Sequence, residues 1–279
     1  MSIKNILVYI DDSGQVESRL DVAVGLAQAH GAHLAAVYAI PEPFIPPYVG
    51  GGYIPAELIE SQAERARERA AEARTRFEER MGRAGMETEW REAEGYAADV
   101  VSLNAKYADL TVVGQANPDD PQNYPNPGLP AEVALGAGRP VLVVPYVGTT
   151  REIGKNVLVA WNGSREATRA VNDALPILER ADKVTVLAVN PRSSGADHGD
   201  VPSADIALHL ARHGVKAEAA QTVSNDIDIG DIILSRISDL GADLAVMGAY
   251  GHSRMRELMM GGVTRDLLRH MTIPVLMSH

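Results

Sequence analysis

This chain of 279 residues predicts an α/β fold of two similar halves, each a parallel sheet covered by helices on both faces. Three observations carry that expectation. Short apolar runs alternate with helical patterns along the whole length, which is how βαβ units read. The pattern is written twice. And residues 241–279 set out a strand, a glycine-rich loop, a helix and a strand in that order.

In the first half, strands are expected at residues 5–10, 32–39, 86–91, 110–113 and 141–144. Helices are expected between them at 16–30, 57–82, 96–107 and 129–136. The long helix is laced with glutamates and arginines four residues apart, the pattern of a solvated face. In the second half, strands are expected at 157–160, 183–190, 215–223, 242–247 and 275–277. The apolar runs are short and rich in Val, Leu and Ala. That suits strands buried on both faces.

The repeat is visible in the letters. Residues 5–13 read NILVYIDDS and residues 156–164 read NVLVAWNGS, a spacing of 151 (156 − 5). Residues 107–114, YADLTVVG, match residues 241–248, GADLAVMG, at a spacing of 134 (241 − 107). The final strands at Pro140 and Pro274 keep the second spacing. The excess in the first half is the Pro/Gly-rich stretch 41–55, PEPFIPPYVGGGYIP. Two domains are therefore expected, at residues 1–147 and 152–279.

Composition excludes several classes of function. The net charge of −11 argues against a nucleic-acid partner, because phosphate backbones call for basic patches. There is no cysteine, hence no disulfide framework, thiolate zinc site or thiol nucleophile. No apolar run approaches the roughly 20 residues of a membrane span, and residues 1–5 lead straight into a strand rather than a secretion signal. The expectation is a cytoplasmic protein with no membrane role. No metal site is expected: His270 and His279 read as surface residues, without the paired spacing of zinc ligands. Ser164 has no nucleophile-elbow context, so no catalytic residue is assigned.

What the residues do point to is an anion site. The run 244–247 stops at Gly248, Gly251 follows, and Gly261 and Gly262 open a helical pattern through Val263, Leu267 and Leu268. Glycines allow close backbone approach, and a helix N-terminus offers unpaired N–H groups and the positive end of a dipole. A phosphate-bearing ligand at residues 248–264 is the expectation, with Arg254, Arg256 and Arg265 available as countercharge.

A strand ending in an Asp/Asn-x-Ser turn, a later Gly-x-x-Gly, then after nine residues Gly and a small residue, then Pro-Val-Leu: this pattern resembles the universal stress protein A family. The doubling resembles its tandem-domain members. The resemblance implies two Rossmann-like domains, each a five-stranded parallel sheet of order 3-2-1-4-5. It implies an adenine nucleotide, ATP or else ADP or AMP, at the C-terminal ends of strands 1, 2 and 4. Carried onto this chain, the binding residues would be Ala160, Trp161, Asn162 and Ser164 at strand 1 and Val189 at strand 2. After strand 4 they would be Met247, Gly248, Gly251, His252, Arg254, Gly261, Gly262, Val263 and Thr264. In a doubly wound sheet of that order the ligand crevice lies between strands 1 and 4, where the order reverses. Trp161 is placed either to stack on a base or to fill core.

Two departures from the family pattern matter. Gly262 stands where the family carries Ser or Thr, leaving Thr264 as the nearest hydroxyl. Asn162 stands where the family carries an acidic residue, which weakens the case for a magnesium ion. In the first half, Asp11 keeps the acid, but position 117 is Asn rather than Gly. The loop that follows, PDDPQNYPNPGLP, is rich in proline, which removes N–H donors. The expectation is a nucleotide site in the second half and a degenerate one in the first. The implied function is a stress-response binding module. The alternatives are a slow ATPase or phosphotransferase, or a chaperone-like protein with an empty site. The short apolar strands at 141–144 and 275–277 would be exposed edges unless covered. They are expected to pair antiparallel within the chain as an intramolecular pseudo-dimer, with homodimerisation left open.

Overall fold

The structure is a computed structural model that describes residues 2–43, 55–120, 126–149, 152–191, 202–224, 226–250 and 262–279. In chain order the first half comprises β1 (Asn5–Ile10), α1 (Val16–His30), β2 (His33–Ile40), α2 (Ala56–Ala84), β3 (Thr88–Glu94), α3 (Ala97–Ala105), β4 (Leu110–Gly114), α4 (Leu129–Gly136) and β5 (Val141–Val144). The second comprises β6 (Asn156–Ala160), α5 (Arg165–Leu178), β7 (Lys183–Val189), α6 (Pro202–Arg212), β8 (Ala217–Thr222), α7 (Ile229–Leu240), β9 (Leu244–Gly248), α8 (Gly262–His270) and β10 (Val275–Ser278).

All ten strands form one sheet of order β3-β2-β1-β4-β5-β10-β9-β6-β7-β8. Each half is thus a parallel five-stranded sheet of order 3-2-1-4-5. The apolar runs of β1, β2, β4 and β5 are buried almost throughout, because helices cover both faces. One apolar layer joins α1, α2, α5 and α6 to the sheet. The opposite layer joins α3, α4, α7 and α8 to it.

The halves meet at β5 and β10, which run antiparallel with Val275 opposite Val143, Leu276 opposite Leu142 and Met277 opposite Val141. All six side chains are fully buried. The outer edges look different. β3 reads TEWREAE and β8 reads AEAAQT, and both are largely exposed. Charged outer edges discourage further strand addition, while the two apolar edges are consumed by each other. The polarity of β3 and β8 also moves their bounds from those expected: apolar periodicity suggests 86–91 and 215–223, whereas pairing with β2 and β7 selects Thr88–Glu94 and Ala217–Thr222. An edge strand with one dry face carries a weak period-2 signal.

The repeated Ala-Asp-Leu turns out to be structural. The Asp109 carboxylate accepts the Lys4 and Asn5 N–H groups at 2.8 and 3.0 Å, clamping the start of β1 to β4. Asp243 does the same for β6, accepting from Gly154, Lys155 and Asn156 at 2.7, 3.1 and 2.9 Å.

Candidate functional site

The strand order reverses between β1 and β4 and again between β6 and β9, so each half has a crevice at its strand C-termini. The two crevices are furnished differently.

In the second half, Ala160 and Met247 lie side by side at the ends of β6 and β9. Trp161 prolongs the ladder, its N–H donating to the Leu187 carbonyl at 2.8 Å, and its half-buried ring packs on the apolar layer. Asn162 is exposed, and its Oδ1 accepts the Ser164 N–H at 3.1 Å. Gly163, at φ 71°, permits that tight turn. Ser164 caps α5: its Oγ accepts the Ala167 N–H at 3.1 Å. Across the crevice Val189 ends β7 half-buried. The next residue, Asn190, takes up φ 48° and ties β7 to the end of β8 through a reciprocal pair with Ser224, at 2.7 and 2.8 Å.

Gly248 has a packing reason of its own. A Cβ there would lie 2.5 Å from the Ala167 nitrogen and 2.6 Å from the Glu166 carbonyl carbon. The first turn of α5 therefore crosses directly over the end of β9. The same contact sets Glu166 beside Gly248. Burial works against its carboxylate, but its own backbone N–H, Arg165 and His279 outweigh burial and hold it below the usual carboxylate range.

On the far side α8 begins. Gly262 is exposed with open space where a Cβ would go, and Val263 is half-buried. Thr264 is buried and its Oγ1 receives the Tyr250 N–H at a long 3.4 Å, which leaves the hydroxyl proton for another acceptor. Burial raises the Tyr250 phenol to about 12, with Arg265 acting in the opposite direction. Gly251, His252, Arg254 and Gly261, as well as Arg256, lie outside the described residues. Among the described residues, Ala160 sits beside Met247, and the first turn of α8 meets the chain just after β9 through Tyr250 and Thr264.

In the first half the same crevice is filled by the protein itself. Arg19 of α1 is fully buried. Its Nη1 donates to the Tyr9 carbonyl at 2.6 Å, and Nη2 reaches Asp11 Oδ2 and Oδ1 at 3.0 and 3.2 Å and Ser13 Oγ at 3.2 Å. A Cβ at Gly114 would lie 2.7 Å from that guanidinium. Asp11 also accepts the Ser13 N–H and hydroxyl, at 3.0 and 2.5 Å. Asp12 is held by the Tyr38 hydroxyl at 3.1 Å and lies 3.6 Å from Arg69. Asn117 folds the loop locally, taking the Asp119 N–H on its side chain at 3.0 Å.

Sequence reasoning missed Arg19. The signal was available: position 19 falls on the apolar stripe Val16, Leu20, Ala23, Ala27 of α1. The 151-residue spacing sets it against Ala170, which is also fully buried. A cation on one copy of a buried stripe, with alanine on the other, marks a local polar partner.

Among the described residues no helix is long and apolar enough to cross a membrane. The model of the universal stress protein family matches residues 2–145 and again residues 154–279. Over 93 residues the chain is 31% identical to the universal stress protein Slr1230 of Synechocystis, a match spanning 26% of this chain and 32% of that protein. It is 27% identical over 136 residues to a putative universal stress protein of Staphylococcus aureus, covering 44% of this chain and 82% of the other. A solved universal stress protein from Archaeoglobus fulgidus superposes with a TM-score of 0.72 at 15% identity, over 99% of this chain and 96% of that one. The chain belongs to the universal stress protein family, as two family domains in tandem.

Proposed function

We propose that the chain is a binding module that holds one adenine nucleotide, ATP or its close relatives ADP and AMP, in the crevice of its second half. The observation that carries this reading is the contrast between the two crevices. Arg19 lies over Gly114 and pairs with Asp11 in the first; in the second the α5 backbone lies over Gly248, the equivalent of Arg19 is Ala170, and among the described residues no guanidinium reaches the strand-1 turn. The second crevice is bordered by the start of α8, where backbone N–H groups have no partner within the helix and suit a phosphate. Residues 160–164, Val189 and Met247 would line the base and ribose, and Gly248 to Thr264 the phosphates. Asn162 brings a neutral amide to the strand-1 turn, so magnesium contributes little to affinity in this reading. The halves act as an intramolecular pseudo-dimer through the β5–β10 seam, with the two crevices in separate halves, and the site belongs to a cytoplasmic stress-response regulator.

Acid quenching of the purified protein, followed by nucleotide chromatography, tests the reading. Near-stoichiometric adenine nucleotide is expected. A protein that neither carries nor takes up any adenine nucleotide overturns it. Phosphate release above the spontaneous rate would turn the module into a slow ATPase.

A further inference from the structure

One side chain crosses from the first half to the helix that opens the candidate phosphate site. Gln115 follows β4, and its backbone N–H continues the ladder to the Val144 carbonyl at 2.8 Å. Its side chain is buried. The amide nitrogen donates to the Leu268 and Arg269 carbonyls at 2.9 and 3.0 Å. The amide oxygen accepts the Tyr146 N–H at 2.9 Å. Two carbonyls on one side and an N–H on the other fix which way the amide faces.

Leu268 and Arg269 lie in the last turn of α8. The final carbonyls of a helix have no partner within it, so Gln115 serves as a C-terminal cap supplied from the other half. The opposite end of the same nine-residue helix is Gly262 and Val263 at the crevice. At 1.5 Å per residue the two ends are only about 13 Å apart. The glutamine bridge has no repeat counterpart, although Arg169 of α5 reaches back to the Gly138 carbonyl just past α4 at 2.9 Å. The repeat equivalent of Gln115 is Ala249, which keeps the backbone bond, to Ser278 at 2.8 Å, and has no side chain to cross with. On the Gln115 side the chain enters, two residues later, the turn built by Asn117.

We propose that Gln115 is a positioning residue of the nucleotide site, coupling α8 of the second half to the loop after β4 of the first. It rests on the nucleotide reading of the second half. Phosphate at the start of α8 orders the helix, the helix end holds Gln115, and the turn at 117–120 senses the change. By linkage the reverse holds too: releasing the cap weakens the nucleotide. The first half, with its own crevice filled by Arg19, then acts as the reporter of the second.

The test compares full-length protein with Gln115→Glu and Gln115→Met. The first puts a carboxylate against two carbonyls, and the second removes the donors at nearly constant size. ATP affinity is measured by calorimetry, and amide exchange is followed in α8 and in residues 115–120 with and without ATP. The expected result is a rise in Kd of at least about fivefold in both variants. Exchange in α8 should quicken before ATP is added, and the ATP-dependent protection of residues 115–120 seen in the parent should disappear. Unchanged Kd and unchanged ATP-dependent protection in a folded variant overturn the proposal, since a cap that merely glues the halves would lower stability alone. If the parent binds no ATP, the nucleotide reading falls and takes the coupling with it. If the parent binds and the variants bind equally, only the coupling falls.

Discussion

Replacing Arg19 with alanine is the sharpest probe of the filled first crevice. The change removes four hydrogen-bond contacts of 2.6 to 3.2 Å with Tyr9, Asp11 and Ser13. It leaves the Asp11 carboxylate, 8% exposed, without its countercharge. Removing one partner of a buried ion pair costs about 3–5 kcal/mol. Two features set the expectation at the lower end, about 3 kcal/mol. Asp11 retains the Ser13 N–H and hydroxyl, and the native guanidinium already leaves its buried Nε without a hydrogen bond. The chain has two tryptophans, and Trp90, packed on Tyr38 and Phe77, reports the first half. Urea unfolding followed by Trp90 fluorescence in a Trp161→Phe background therefore gives the loss directly. Converting both partners, Asp11→Asn with Arg19→Met, removes the buried charges together and should recover stability to within about 1 kcal/mol of the parent. A loss under about 1 kcal/mol for Arg19→Ala, or a double variant as unstable as the single, would refute a buried pair that fills the crevice.

Four further outcomes are expected. Gly248→Ala forces a methyl against the backbone of Ala167 and Glu166 and should destabilise the second half by about 1–3 kcal/mol, read by Trp161 fluorescence; Gly262→Ala, with open space around it, should leave stability nearly unchanged. Leu276→Pro removes the N–H of a strand residue paired to Leu142 on one side and Val246 on the other and should let limited proteolysis separate the halves; a protease-resistant variant of parental stability would count against the seam. Burial, then Arg180, hold the His30 imidazole below its ordinary 6.5, so the unfolded chain takes up that proton first. This contribution to stability is complete above 6.5 and is lost as the pH falls below it, and His30→Gln should flatten that part of the acid limb of a pH–stability profile. Tyr250, pushed up to about 12 by burial, stabilises fully below its ordinary 10.0 and less as the pH climbs towards 12; phenolate absorbance present in the parent and absent from Tyr250→Phe should appear only at the top of that range.

Much of the architecture was legible because the chain states it twice. The bounds of β1, α1, α4 and β5 follow from apolar runs and helical stripes alone. The antiparallel partnership of β5 and β10 was expected from two apolar edges needing cover together with the family resemblance, which implies pairing of that strand across a two-fold axis. The polar edge strands β3 and β8 were displaced by a few residues, because their bounds come from register with a neighbour rather than from their own pattern. At the site the sequence credited Gly248 to a ligand, where the first turn of α5 also demands a glycine. Arg19 and Gln115 were passed over for different reasons. Arg19 showed itself only as a cation on a buried stripe, with its partners at the end of β1 and in the turn before α1, and Gln115 acts on the end of α8, a contact that no local period encodes.

The proposed stoichiometry is one nucleotide per chain, in the second half. Calorimetric titration of ATP into nucleotide-free, full-length protein tests it most directly. One site per chain is expected, with binding abolished in the Gly251→Val, Gly261→Val double variant, whose branched side chains would enter the space the phosphates need. Two sites per chain, or none, would contradict it.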